Sequence, residues 1–347
     1  MTTTFSALPV VDVGLLGSST GPSSEEQAAL SQQLYDVFAT TGFAYLTNVP
    51  LSFTHEEVFD LSRQFFALPT DQKMQLAKQS FSKANLNTYR GYFPTQPELA
   101  NDNLKEGFEM GPAKPIHTAS SLTSRSKISL SEPNVWPEET NFPARQDLEK
   151  LYLELQSLAA KLLSLLALSL GKPGDFFAPY LDDSLSTLRL LHYPPVVSAA
   201  SGSATAGSDV KLSCTPHTDS GILTLLHQDS TGGLEVRNSS GEWVPAPYVP
   251  ESLVVNIGDL MAKVSGGRFV ATMHRVRAPG IDYSAVCVSG NDASSQLGRI
   301  SVPFFFEPGE NCLVRSIDAH EDFVVYGEHV RSKMKTWVEF QDDEGEK

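Results

Sequence analysis

The stretch Cys214–Val236, CTPHTDSGILTLLHQDSTGGLEV, opens an otherwise apolar run with a histidine and an aspartate one residue apart. Side chains alternate along a strand, so His217 and Asp219 point the same way. Gly221 follows with no side chain and is expected to keep bulk away from the pair. Two readings fit: two metal ligands beside an open position, or a turn with a polar pair ahead of a buried strand. Cys214 stands at odd spacing from His217 and is expected to face the opposite side of the strand.

A third ligand would have to come from elsewhere among the eight histidines. His227 shares the parity of His217, but ten residues of strand place it about 33 Å away. His192, in LHYPP, reads as a structural residue at a strand end. His55 falls in the first turn of a helix, and His117, His320 and His329 lie in polar segments that read as solvated surface. His274 differs, because it sits in FVATMHRVRAP, a strand-like run beyond the NIGDL turn. Two histidines and one carboxylate on one face leave other positions of a metal open, the pattern of non-haem iron(II) oxygenases, although zinc accepts the same donors. Further on, GRISVPFFFEP places Arg299 and Ser301 on one face of a strand, a guanidinium and a hydroxyl suited to a carboxylate. Tyr193 in LHYPP offers a phenol to the same oxygens.

Around these motifs the chain of 347 residues changes texture. Pro9–Val13 reads as a short strand. A helix carries Leu30, Leu34, Val37 and Phe38 at helical spacing and stops at Gly42, and Phe43–Leu46 reads as a strand. A second helix opens on Thr54 with Glu57 three residues on, a capping box. Residues 80–145 read as mostly irregular, and a third helix spans about residues 144–170, ending at Gly171. From Leu185 onward short strand-like runs recur between turn signals, which predicts an α+β fold with a sandwich or jelly roll in its second half. Residues 196–210 and 284–298, rich in Ser, Ala and Gly, read as inserted loops.

The formal charge of −15 argues against a nucleic acid or an anionic membrane as partner. Three widely spaced cysteines argue against a disulfide framework or a zinc knuckle. The first residues lack the pattern of a signal peptide, and LAAKLLSLLALSL carries a lysine and is short for a bilayer span, so the expected location is cytoplasmic.

Taken in order, LPVVDV, TTGFAYLTNV, RGYFP, KEGFEMG, LRLLHYPP, HTDSGILTLLHQDSTGGLEV, VVNIGDLM, HRV and RISVPFFFEP resemble the isopenicillin N synthase-like iron(II)- and 2-oxoglutarate-dependent dioxygenases over most of the chain. The resemblance implies a double-stranded β-helix (a distorted jelly roll) flanked by helices. Residues 1–120 would form the amino-terminal part, 121–183 a linking segment and long helix, 184–312 the jelly-roll core, and 313–347 a helical carboxy-terminal segment. It implies that His217, Asp219 and His274 bind iron(II), and that Arg299, Ser301 and Tyr193 hold the distal carboxylate of 2-oxoglutarate. Dioxygen would be the co-substrate and ascorbate a support. The implied activity is oxidation of a C–H bond in a small molecule, with release of succinate and CO2, by a monomer or weak homo-oligomer in specialised metabolism. Tyr89, Arg90, Tyr92, Phe108, Phe304 and Phe306 are candidates for the substrate pocket. The gap of 25 residues between His274 and Arg299 is long for this family, which makes Arg277 a rival anchor, though no serine follows it at the right place. Two other readings stay open: an iron oxidase of this fold that does without 2-oxoglutarate and holds a substrate carboxylate on the Arg–Ser pair, or an inactive binding protein.

Overall fold

A computed structural model describes residues 4–96, 104–113, 128–195, 212–279, 298–319, 321 and 323–335. The two loops expected at 196–210 and 284–298 lie outside these residues apart from Gly298, as do His117 and His320.

Local signals start the elements where the sequence places them. Helix α1 (Ser24–Thr40) opens on a Ser23/Glu26 capping box and buries Leu30, Leu34, Val37 and Phe38. It ends beside Gly42, whose φ is +71° and whose added Cβ would stand 2.2 Å from the Val270 carbonyl oxygen, so only glycine fits there. Helix α2 (His55–Phe66) has the Thr54/Glu57 capping box. After the short α3 (Thr70–Gln75) comes α4 (Arg145–Ser169), of 25 residues. By length and composition α4 is apolar enough to cross a membrane, more than its inner leucine run suggests. Eleven of its residues are buried, however, each leucine contributing about 1.5–3 kcal/mol, so it is the core helix of this fold.

The strands are β1 (Val10–Asp12), β2 (Phe43–Thr47), β3 (Gly91–Phe93), β4 (Glu106–Met110), β5 (Thr187–Tyr193), β6 (Leu212–His217), β7 (Leu223–Gln228), β8 (Leu234–Arg237), β9 (Trp243–Pro245), β10 (Ser252–Ile257), β11 (His274–Arg277) and β12 (Arg299–Phe306). Eight of them form one sheet in the order β1-β2-β10-β7-β12-β5-β4-β3, and four form a second, β6-β11-β8-β9. All neighbouring pairs are antiparallel except β1–β2. The two sheets face each other as a double-stranded β-helix, with helices on the outer face of the larger one. The stretch 80–145, expected to be irregular, supplies β3 and β4, so strands from the first third of the chain share a sheet with the jelly-roll core. The carboxy-terminal segment is not wholly helical either: β13 (Leu313–Arg315) and β14 (Phe323–Val325) form a hairpin before α5 (Tyr326–Met334).

The large sheet divides the core in two. On its helix side lie Phe65, Phe108, Leu155, Ile300, Val302, Phe304 and Phe306; between the sheets lie Phe43, Tyr45, Leu191, Tyr193, Leu234 and Val276. β12 is the central example, since its even-numbered residues pack towards the helices and its odd-numbered ones face the second sheet. Pro303 has no amide hydrogen, and the β5 pairing lapses at Val302 and Pro303.

Candidate functional site

His217 ends β6 and His274 begins β11, and the two are paired directly across the small sheet. Asp219 follows in a turn held by the NIGDL segment. The Asp259 amide donates to the Asp219 carbonyl at 2.7 Å and the Gly258 amide to Ile222 at 3.0 Å. Gly258 permits this approach, because a Cβ there would meet the Gly221 carbonyl oxygen at 2.3 Å. Gly221 itself does not spare room beside the pair as expected. Its added Cβ would point at the Phe306 carbonyl oxygen, 3.3 Å away.

The ligand atoms of His217, Asp219 and His274 all lie within 4.8 Å of one another. Asp219 Oδ1 is 3.8 Å from His217 Nε2 and 3.7 Å from His274 Nε2. Its other oxygen, Oδ2, accepts from Thr224 Oγ1 at 2.5 Å and Asn256 Nδ2 at 2.8 Å. Each Nδ1 sits against a backbone carbonyl, Thr215 at 2.7 Å and Thr272 at 3.2 Å. Those contacts place a proton on each Nδ1 and turn each Nε2 towards the carboxylate. Burial pushes the His274 imidazole down to about 4, with His217 adding to the effect, so it is neutral at physiological pH. Burial would raise the Asp219 carboxyl, but His274, His217 and the two hydrogen bonds hold it below its ordinary value. Burial opposes protonation of His217, but Cys214 and then Asp219 raise its imidazole to about 9, so a metal taken up here displaces a proton. Two imidazoles and a carboxylate, each oriented by a second partner, fit a divalent metal.

Cys214 corrects an expectation. It lines the same cavity as His217, and its Sγ is 3.8 Å from His217 Nδ1. Between these two rungs β6 advances three residues while β11 advances two, a bulge that breaks the alternation. Burial opposes ionisation of the Cys214 thiol, yet Lys105 and His217 bring its pKa below the ordinary value.

A cavity between the sheets opens to solvent. Arg299, Ser301, Tyr193, Leu191, Leu226, Leu234 and Phe43 are among its walls. Arg299 is 1% exposed. Its Nη1 donates to Ser301 Oγ at 3.0 Å, its Nε to the Gly232 carbonyl at 2.7 Å, and its guanidinium lies 4.7 Å from the centre of the Tyr193 ring. Among the described residues no carboxylate pairs with it. Gly232 and Gly233, both at positive φ, turn that carbonyl inward, a role for the STGGLEV glycines that sequence reading missed. The rival Arg277 is half exposed and lies 3.6 Å from Glu235.

None of the six pocket candidates is in the cavity wall. Tyr89, Tyr92, Phe108, Phe304 and Phe306 belong to the helix-side core. Arg90 is buried, donating to Thr187 Oγ1 at 2.6 Å and the Leu185 carbonyl at 2.8 Å. The wall holds Phe305, Pro303, Arg189 and Lys105 instead. Parity finds Phe305, because Arg299 and Ser301 already fix which face of β12 is inward. His192 pairs with Glu106, and His329 Nε2 is 3.2 Å from the Ser220 carbonyl rather than on the surface.

The sequence profile of the 2OG-Fe(II) oxygenase superfamily matches residues 184–308, and that of the non-haem dioxygenase in morphine synthesis N-terminal region matches residues 8–139. A homoarginine-6-hydroxylase of Glycine max is 31% identical, over 97% of this chain and 98% of the relative. A 2-oxoglutarate-dependent dioxygenase of Didymella fabae is 33% identical, over 91% and 90%. Among solved structures, a 2OG-Fe(II) oxygenase family protein from Caulobacter crescentus superposes with a TM-score of 0.73 at 27% identity, covering 96% of this chain and 100% of the other. A Neurospora crassa enzyme crystallised with alpha-KG and thymine gives a TM-score of 0.73 at 25% identity, covering 95% and 97%. The chain therefore belongs to the 2OG-Fe(II) oxygenase superfamily and is a non-haem iron(II)- and 2-oxoglutarate-dependent dioxygenase.

Proposed function

We propose that His217, Asp219 and His274 hold the iron, and that Arg299, with Ser301 and Tyr193, holds the distal carboxylate of 2-oxoglutarate. One observation carries this reading: a fully buried guanidinium with no carboxylate partner among the described residues shares a cavity with three convergent metal-ligating atoms. A buried cation left uncompensated is costly, so the site calls for an anion. When bound, the iron supplies oxidative decarboxylation of 2-oxoglutarate to succinate and CO2, coupled to oxidation of a substrate C–H bond by dioxygen.

The chain's own residues do the positioning. The Thr215 and Thr272 carbonyls fix both imidazole rings, and Thr224 and Asn256 fix the carboxylate. Leu191, Leu226, Leu234, Val276 and Phe43 keep the cavity wall apolar, which limits water at the reacting centre. The substrate is a small molecule and the outcome hydroxylation or a related oxidation. Relatives named for homoarginine and proline hydroxylation, and fungal relatives among them, favour specialised metabolism of a small polar compound.

Calorimetric titration of 2-oxoglutarate into the anaerobic iron-loaded protein tests the reading. Arg299→Ala is expected to weaken that binding at least 100-fold, with iron content unchanged. Retained affinity would remove Arg299 from the site, and absence of binding by the unaltered protein would favour an oxidase that holds a substrate carboxylate on the same pair.

A further inference from the structure

The cavity wall carries two cations that hold neither the iron nor 2-oxoglutarate in this reading, Lys105 and Arg189, while Asp219 is the only carboxylate in that wall among the described residues. Arg189, Leu191 and Tyr193 share the cavity face of β5, and Arg299, Ser301, Pro303 and Phe305 share that of β12. Tyr193 is paired with Arg299, which puts Arg189 four residues further along, about 13 Å from the Arg299 row. That is the end of the sheet where Asp219 is held, because Thr224, its donor, is paired with Phe305. Arg299 and Arg189 therefore stand at different heights of one cavity, and a single small diacid seated on Arg299 leaves Arg189 to another ligand.

The Arg189 guanidinium lies 5.1 Å from the centre of the Phe305 ring and 5.9 Å from that of Phe93. It also pairs with buried Glu109, which binds Lys78 at 2.6 Å as well. These contacts hold a normally mobile side chain in one place, which suits recognition of a planar anion. Lys105 enters from the start of β4, with Nζ 3.4 Å from Cys214 Sγ, itself 3.8 Å from His217 Nδ1. The second cation thus stands close to the metal-ligating group, on the small-sheet side. Phe305, Leu191 and Val276 give the same cavity an apolar lining.

We propose that the substrate is a small carboxylic acid, its carboxylate taken by Arg189 and its hydrocarbon part laid along Phe305 beside the iron position, with Lys105 adding to the positive field of the cavity wall. The inference rests on the iron and 2-oxoglutarate placements proposed above and names the substrate class for that same site. In an otherwise strongly acidic chain, a cationic wall also raises the local concentration of an anionic substrate.

The test is sequential anaerobic calorimetry on the iron-loaded full chain. 2-Oxoglutarate is titrated first. Phenylacetate, 3-phenylpropionate, hexanoate and N-acetylalanine follow, each against its primary amide. At least one acid is expected to bind tenfold or more tightly than its amide. Lys105→Gln should reduce that preference at least threefold, and Arg189→Gln, which leaves Glu109 paired with Lys78, at least tenfold. The comparison of acid with amide in the unaltered protein decides the matter even if the Arg189 variant fails to fold. Acids that bind no better than amides, absence of binding included, overturn the proposal while the 2-oxoglutarate heat stands. Loss of the 2-oxoglutarate heat instead overturns the cosubstrate placement beneath it.

Discussion

Among the described residues two pairs of histidines stand close together, and only one of them is built to hold a metal. The His217 and His274 rings are 4.2 Å apart, and those of His55 and His227 are 5.0 Å apart. In the first pair each Nδ1 faces a backbone carbonyl, and one carboxylate oxygen stands within 3.8 Å of both Nε2 atoms. In the second pair all four ring nitrogens are buried without a hydrogen-bond partner among the described residues, and the neighbours are the rings of Phe59 and Tyr248. Ring proximity is therefore not what distinguishes a ligand set. The difference lies in the carboxylate between the rings and in the carbonyls that choose the tautomer.

The largest effect expected from that difference is on iron itself. His217→Ala or His274→Ala should lower succinate formation at least 1,000-fold and bring iron content, measured after gel filtration, to background. His55→Leu and His227→Leu should keep one iron per chain. An iron content that fell equally in all four variants would erase the distinction between the pairs.

How much of this arrangement could be read beforehand depends on whether alternation holds locally. It holds along β12, which is why Arg299 and Ser301 share a face, and the same rule assigns Phe305 to the cavity and sends Phe304 and Phe306 to the helices. Along β6 alternation fails, because the bulge between Cys214 and His217 depends on pairing with a strand about sixty residues away. Arg189 follows by parity once Tyr193 is placed inward. Lys105 does not, since it stands just before β4, whose pairing with β5 only the sheet order reveals. His274 was readable because one histidine among eight lay in a strand beyond the NIGDL turn. The reason for that turn, Asn256 and Asp259 gripping Asp219 from two sides, emerges only in three dimensions.

A smaller effect sharpens the role of the residues that orient the carboxylate. Thr224→Val and Asn256→Ala each remove one donor to Asp219 Oδ2 without touching the oxygen between the histidines. Each should weaken iron binding about 10- to 100-fold in competition with a chelator, the range usual for partners of metal ligands. Turnover at saturating iron should fall less. Unchanged affinity in both would mean that strand pairing alone orients Asp219.

The smallest effect concerns the second pair and appears as stability against pH. Burial first, and His55 next, push the His227 imidazole down to about 3, and the Val302 backbone beside it offsets little. In the unfolded chain the same group titrates near 6.5. The folded state therefore binds fewer protons below that value, and stability present above pH 6.5 is lost as pH falls from there towards 3. Between pH 7.5 and 5.5 the loss from this one residue is about 1.4 kcal/mol. Urea unfolding of the metal-free protein at the two pH values measures it, with His227→Phe as the comparison so that the titrations of His217 and His274 cancel. The unaltered protein should lose about 1 kcal/mol more than the variant. Equal losses would mean that His227 takes up a proton inside the fold, which requires a partner or water at its ring nitrogens and would make the two histidine pairs alike in the one respect that now separates them.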